Sequence, residues 1–233
     1  MDVKTAYLNG ILTEDIYMEQ PPGFTTHDHK TSVCHLHKAL YGLKQSGHIW
    51  NSNIDTYLKS LNFLQCPDDP CLYRLQRSAT HFILIGIYVD DLLIVSNYDS
   101  DLQWIKHNLT QRYTMTDCGD LQEMLGLQIE RDRTTNTLIL HQSAYIQRML
   151  LHYDMLHCKT AYTPMEINLQ FTDSPPYSPG FPSPPFREEI GSLLYAANAT
   201  RPDISFAVGK LAQHSNNYGP THWSAVKRIF RYL

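Results

Sequence analysis

The sequence predicts an α+β fold, an antiparallel sheet with packed helices followed by a small helical region. Three observations carry this. Short β-branched runs alternate with segments whose apolar residues recur at helical spacing, and after a proline-rich stretch the pattern is helical to the end. With 233 residues, 42% hydrophobic and 11% aromatic, the chain can bury a substantial core, which excludes global disorder.

From Trp50, the residues Ile54, Tyr57, Leu58 and Leu61 trace one face of an amphipathic helix, with Ser46 as its candidate cap. Residues 82–89 are rich in β-branched side chains, run into Asp90-Asp91 and continue as the apolar residues 92–95, which predicts a buried β-hairpin. Asp99 or Ser100 caps a helix bearing Leu102, Ile105 and Leu109. Residues 125–129 and 137–140 flank a polar stretch at 132–136 and form a second expected hairpin. Ile146, Met149, Leu150 and Tyr153 mark another helix. Six of the thirteen prolines fall within 173–185, where neither a helix nor a central strand can run. That stretch reads as a linker, with the main boundary near residue 186. Beyond it, three apolar series predict three helices: Ile190 to Ala197, Ile204 to Leu211, and Trp223 to Phe230.

The formal net charge of −4 is not that of a strongly basic nucleic-acid binder. The charge is uneven, since the region 81–186 is acidic and 187–233 is basic, and Lys227, Arg228 and Arg231 form a candidate phosphate-contacting stripe, with a solvated helix face as the commoner reading. No apolar run suffices for an ordinary membrane-spanning helix, and Met1-Asp2-Val3-Lys4 lacks the apolar stretch of a signal peptide. The expectation is therefore an intracellular chain, in cytoplasm or nucleus, with no membrane partner. Five cysteines at scattered spacings form neither a zinc pattern nor a disulfide framework. The pairs His27/His29 and His35/His37 are better read as solvated loop or strand residues than as zinc ligands.

Asp90-Asp91 is the most informative pair. Carboxylates set among apolar strands must be neutralised, hydrogen-bonded or bound to metal, and no Lys or Arg occurs between Arg77 and Lys106. Hard Mg²⁺ prefers oxygen ligands and keeps positions for water and phosphate, which suits nucleotidyl transfer. Simple turn chemistry is the competing reading. Asp2, at the end of a short strand, is a candidate third carboxylate. Tyr7, five residues on, is a candidate floor for a nucleotide pocket that would exclude a 2′-hydroxyl, while a simply solvated terminal Asp is the competing reading of this segment.

Ordered motifs then point to a family. Asp2-Val3-Lys4-Thr5-Ala6-Tyr7-Leu8-Asn9-Gly10 and Ile16-Tyr17-Met18-Glu19-Gln20-Pro21-Pro22-Gly23-Phe24 are followed by Leu40-Tyr41-Gly42-Leu43-Lys44-Gln45 and Tyr88-Val89-Asp90-Asp91. Leu125-Gly126-Leu127-Gln128-Ile129, Thr163-Pro164-Met165, Ile190-Gly191-Ser192-Leu193-Leu194-Tyr195, Thr200-Arg201-Pro202-Asp203-Ile204 and His222-Trp223 complete the order. The whole chain resembles the reverse transcriptase of copia-type LTR retrotransposons. The resemblance implies a palm in which Asp2, Asp90 and Asp91 are the catalytic, metal-binding triad for two Mg²⁺ ions, with Mn²⁺ as a substitute. It implies a nucleotide site at Tyr7, Gly42, Lys44, Gln45 and Tyr88, and a primer grip at Met124, Leu125, Gly126 and Leu127. The implied reaction is RNA-directed DNA polymerisation, with a primer–template and deoxynucleoside triphosphates as partners and other Pol or Gag segments beside it.

On this resemblance residues 1–165 are the palm and thumb-like region, 166–186 the linker, and 187–233 a connection preceding an RNase H domain. The sequence starts at the catalytic strand, so the fingers segment of relatives lies outside it, as does the RNase H domain. Ser46-Gly47-His48 and Asp117-Cys118-Gly119 depart from the commoner family residues. The expectation is a polymerase palm that is inactive without fingers. The alternative is a catalytically inactive retroelement remnant that at most binds nucleic acid.

Overall fold

Period-two burial along the apolar runs builds the first half of the molecule. A computed structural model describes residues 1–25, 32–171 and 184–233, and the chain divides into two compact units, Met1–Leu121 and Gln122–Leu233. The first unit contains β1 (Asp2–Val3), a 3-10 turn at Ala6–Asn9, β2 (Ile11–Met18), β3 (Cys34–Lys38), α1 (Ser46–Ser60), β4 (Leu64–Gln65), β5 (Leu72–Ser78), β6 (His81–Tyr88), β7 (Asp91–Ser96), α2 (Asp99–Arg112) and β8 (Met115–Thr116).

Six of these strands form one sheet in the order β4-β5-β6-β7-β1-β8, every neighbouring pair antiparallel. Ile83, Ile85 and Ile87 of β6 are buried, as are Tyr73 of β5, Leu92 of β7 and Val3 of β1. They share one core with Trp50, Ile54 and Leu58 of α1 and Ile105 and Leu109 of α2, so both helices cover the same sheet face. Burying each such aliphatic side chain contributes on the order of 2 kcal/mol. The intervening residues, among them Asp2, Gly86, Tyr88 and Asp91, point to the other face.

The predicted hairpin of β6 and β7 is present, and α1 and α2 follow the predicted apolar series. The caps differ. Gln45 is the N-cap of α1, while the Ser46 hydroxyl donates to the Leu40 carbonyl at 2.6 Å from inside the helix. Tyr98, with extended backbone, precedes α2, leaving Asp99 and Asp101 in its first turn, where the helix dipole favours them. Asp101 is buried and held by Arg77 and His81.

The second unit contains β9 (Glu123–Met124), β10 (Leu127–Asp132), β11 (Thr137–His141), α3 (Ser143–His152), α4 (Phe186–Ala199), a 3-10 turn at Pro202–Ile204, α5 (Ser205–Ala212) and α6 (Pro220–Tyr232). The three strands make a small antiparallel sheet, and the expected hairpin of β10 and β11 is present. Met149 of α3 shares a core with Phe186, Ile190 and Leu193 of α4, Val208 and Leu211 of α5, and Val226 and Ile229 of α6. The compact units therefore part at 121/122 rather than near 186. The sequence pattern hid this because the helices before and after the prolines bury into one another. Most of the proline-rich stretch (172–183) and His27 and His29 lie outside the described residues. All five cysteines are free, and no described helix is long and apolar enough to cross a membrane.

Candidate active site

Three predicted carboxylates meet through backbone pairing. Tyr88 and Asp91 are the closing pair of the β6–β7 hairpin, so the turn consists of Val89 and Asp90 alone. Strand β1 then inserts beside β7, with Asp2 directly opposite Asp91. The Val3 amide donates to the Asp90 carbonyl at 2.8 Å, and the Leu92 amide to the Met1 carbonyl at 2.8 Å. Tyr88, Asp91 and Asp2 thus form a cross-strand row on the face turned away from α1 and α2, continued by Thr116 of β8.

Two supports hold the turn. The Trp50 indole Nε1 donates to the Val89 carbonyl at 2.7 Å from the core side. The Tyr41 hydroxyl donates to Asp90 Oδ2 at 2.6 Å, while Asp90 Oδ1 is buried and accepts no hydrogen bond among the described residues. Burial, then the bond to Asp90 and that carboxylate's charge, push the Tyr41 hydroxyl up to about 12. Val89 itself has φ 53, a left-handed conformation that β-branched residues rarely adopt.

The predicted nucleotide residues differ in their surroundings. Tyr7, in the 3-10 turn after β1, is half-buried, and its ring lies 4.4 Å from that of Tyr41. Gly10 closes that turn against α1, where a Cβ would come within 2.4 Å of Ile49 Cγ2. Gly42 has φ +100, which glycine alone adopts without strain. Lys44 is exposed, Gln45 caps α1, and Tyr88 is 55% exposed. The primer-grip candidates lie in the second unit, where Leu125 (φ 53) and Gly126 (φ 74) form a two-residue turn closed by Met124 and Leu127. The Tyr195 hydroxyl donates to the Leu125 carbonyl, and a Cβ on Gly126 would stand 3.1 Å from that hydroxyl.

Among the described residues, no group of three or more His, Cys, Asp or Glu side chains is placed to hold a metal ion. The backbone brings Asp2, Asp90 and Asp91 together, but their side chains do not converge as a three-ligand cage. The donor set nevertheless suits a hard divalent cation. Like charges directly opposite on neighbouring strands, as in Asp2 and Asp91, are unfavourable without one, and Asp90 Oδ1, buried with no hydrogen bond among the described residues, is an oxygen left uncompensated. His35 is engaged otherwise, paired with Asp15 at 3.2 Å and stacked on Tyr17. In the basic stripe, Arg228 bonds Thr163 and Glu166, and Arg231 bonds the Lys159 carbonyl. Both guanidinium groups therefore make bonds within their own unit.

Tyr41 and Trp50 were not singled out as site residues from the sequence. Tyr41 sits one position before the Gly42 to Gln45 segment, and Trp50 counted only as the first apolar residue of its helix.

Fold and site together define a class: an α+β protein presenting carboxylates on the open face of an antiparallel sheet. The family described as "Reverse transcriptase (RNA-dependent DNA polymerase)" matches residues 1–167, and the chain belongs to it. Its relatives place it with the copia-type elements. It is 40% identical over 238 residues to the retrovirus-related Pol polyprotein from transposon TNT 1-94 of Nicotiana tabacum, covering 100% of this chain and 18% of that protein. It is 40% identical over 241 residues to the corresponding polyprotein from transposon RE1 of Arabidopsis thaliana, covering 100% of this chain and 16% of that one. The putative transposon Ty5-1 protein of Saccharomyces cerevisiae is 32% identical over 234 residues, covering 100% of this chain and 75% of the yeast protein. The chain spans less than a fifth of the length of the two plant polyproteins. No solved structure matches it.

Proposed function

We propose that this chain provides the palm of an RNA-directed DNA polymerase that extends a primer 3′-hydroxyl with deoxynucleoside triphosphates on an RNA or DNA template. The observation that carries the reading is the insertion of β1 beside β7, which sets Asp2 against Asp91 next to the Asp90 turn. Asp2, Asp90 and Asp91 are the residues that would hold two Mg²⁺ ions, or Mn²⁺ in their place. When bound, such ions activate the attacking oxygen and offset charge on the leaving pyrophosphate. Tyr7 floors the sugar pocket and excludes a 2′-hydroxyl, with Gly42, Lys44, Gln45 and Tyr88 around the nucleotide. Met124, Leu125, Gly126 and Leu127 hold the primer end, and residues 187–233 act as a connection region. The partners are a primer–template, nucleotides and other Pol or Gag segments, and the setting is the cytoplasm or nucleus.

Primer extension tests the reading. It is assayed with Mg²⁺ and with Mn²⁺, for the chain alone and for the chain joined to the preceding segment of the tobacco polyprotein. Extension is expected from the joined form, and Asp90→Asn lowers it by about a thousandfold or more, the scale of losing an essential electrostatic group. Absence of extension in both forms rejects the proposal. A second reading, nucleic-acid binding without turnover, is favoured by one observation: the three carboxylates are not caged together. Salt-sensitive binding with no extension is its signature.

A further inference from the structure

The polymerase reading assigns Asp90 as a metal ligand but leaves unassigned the strongest side-chain contact at that residue. Tyr41 comes from the segment between β3 and α1, 49 residues away in sequence, and its hydroxyl donates to Asp90 Oδ2 at 2.6 Å. That length is typical of a hydroxyl bonded to a charged carboxylate. The segment carrying Tyr41 is itself well anchored. The Ala39 amide donates to the Gly10 carbonyl at 3.0 Å, the Leu43 amide to the Leu40 carbonyl at 3.3 Å, and the Ser46 hydroxyl to the same Leu40 carbonyl. Gly42, at φ +100, turns the chain directly after Tyr41. On the other side the Tyr41 ring rests against that of Tyr7. The backbone of the segment is thus anchored and the ring rests on Tyr7 while its hydroxyl reaches the hairpin turn.

We infer that Tyr41 is a positioning residue for the metal-binding carboxylate, holding Asp90 Oδ2 and so fixing the rotation of the Asp90 side chain. The inference rests on the polymerase reading of the site. Its physical basis is the outer contact of metal ligands: a ligating carboxylate that is itself hydrogen-bonded has its rotation restricted, so less freedom is lost when the ion binds. A carboxylate in a two-residue turn needs this more than one inside a strand, because its backbone leaves the side chain several directions to take. The Tyr7 contact adds a consequence, since the wall of the sugar pocket and the support of the metal ligand are two rings in direct contact.

The test is Mn²⁺ binding to the full chain, followed by the electron paramagnetic resonance signal of free Mn²⁺, without nucleotide or primer. Tyr41→Phe keeps the ring on Tyr7 and removes only the hydroxyl. Its Mn²⁺ affinity is expected to fall about tenfold, the lower end of losses seen when an outer-shell partner is removed. Its circular dichroism should match that of the parent chain, which shows that the fold survives loss of the hydroxyl. Asp90→Asn should lose the Mn²⁺ site. Unchanged or tighter binding by Tyr41→Phe, with Asp90→Asn still deficient, overturns the positioning role and leaves the polymerase reading standing. Binding that Asp90→Asn does not alter, or no Mn²⁺ binding by the parent chain, overturns the metal-ligand reading and this inference with it.

Discussion

Val89 holds a left-handed backbone at the tip of the β6–β7 hairpin, a conformation that costs a β-branched residue on the order of 1–3 kcal/mol. The surroundings that enforce it are identifiable. The Trp50 indole takes the Val89 carbonyl, the Val3 amide takes the Asp90 carbonyl, and Tyr41 takes the Asp90 side chain. Trp50→Phe keeps an aromatic body in the core but deletes the indole donor. It is expected to destabilise the first unit by about 1–2 kcal/mol, from the lost bond to a part-buried carbonyl and the smaller ring left in the core. The measurement is a denaturant midpoint, and a change below a few tenths of a kcal/mol would show that the bond does not restrain the turn. At this scale the acidic pair was legible, because two carboxylates inside an apolar run demand an explanation. Tyr41 and Trp50 were not, since a tyrosine beside a glycine and a tryptophan opening a helix both have ordinary local readings.

At the scale of elements, the two hairpins show how turn chemistry and neighbours act together. The turn between β9 and β10 places both Leu125 and Gly126 at positive φ, and Tyr195 of α4 closes over it. Gly126→Ala meets two penalties, a left-handed backbone and a Cβ crowding the Tyr195 hydroxyl. The expected loss is about 1–2 kcal/mol. Gly191→Ala is the control within the same unit. It lies exposed inside α4 with open space around it, so it should stabilise by up to about 1 kcal/mol through helix propensity. Urea midpoints moving in opposite directions would confirm both; a neutral Gly126→Ala would mean that this turn tolerates a side chain. The periodicities of α1, β6, β7 and α4 were readable because each buries one face. The caps were not: Gln45 and Tyr98 cap helices without any side-chain cap bond, so no side-chain signal marked them.

For the molecule as a whole, each unit has a core of its own, and the second core contains a carboxyl group. Glu189 of α4 is 2% exposed and its Oε2 accepts no hydrogen bond among the described residues. Burial, and then the charge of Glu188, raise it from an ordinary 4.5 to about 8. A carboxyl raised on folding binds its proton more tightly in the folded state, so its contribution is complete below about 4.5 and is lost as pH climbs through 8. The second unit should therefore lose stability across that window, by at most about 1.4 kcal/mol per pH unit. Glu189→Gln, which cannot ionise, should flatten the slope. Denaturant unfolding monitored from pH 5 to 8 decides the matter, and a parent profile as flat as that of the variant would contradict the buried-acid assignment. No residue pattern announced this group, since the same glutamate on a solvated helix face would be spelled identically.

The sequence by itself determined the α+β class, the hairpins and helices that follow from side-chain periodicity, and, through ordered motifs, membership of the copia-type reverse transcriptase family. These are local properties: which face of a strand or helix is apolar, and which residue types recur in which order. Only the tertiary structure decided that β1 inserts between β7 and β8, so that Asp2 stands opposite Asp91, that Tyr41 holds Asp90, and that the compact units part at 121/122. Each of these depends on segments far apart in the chain meeting in space. Such meetings are selected by the free energy of the whole packed sheet and core, which no single stretch of sequence encodes.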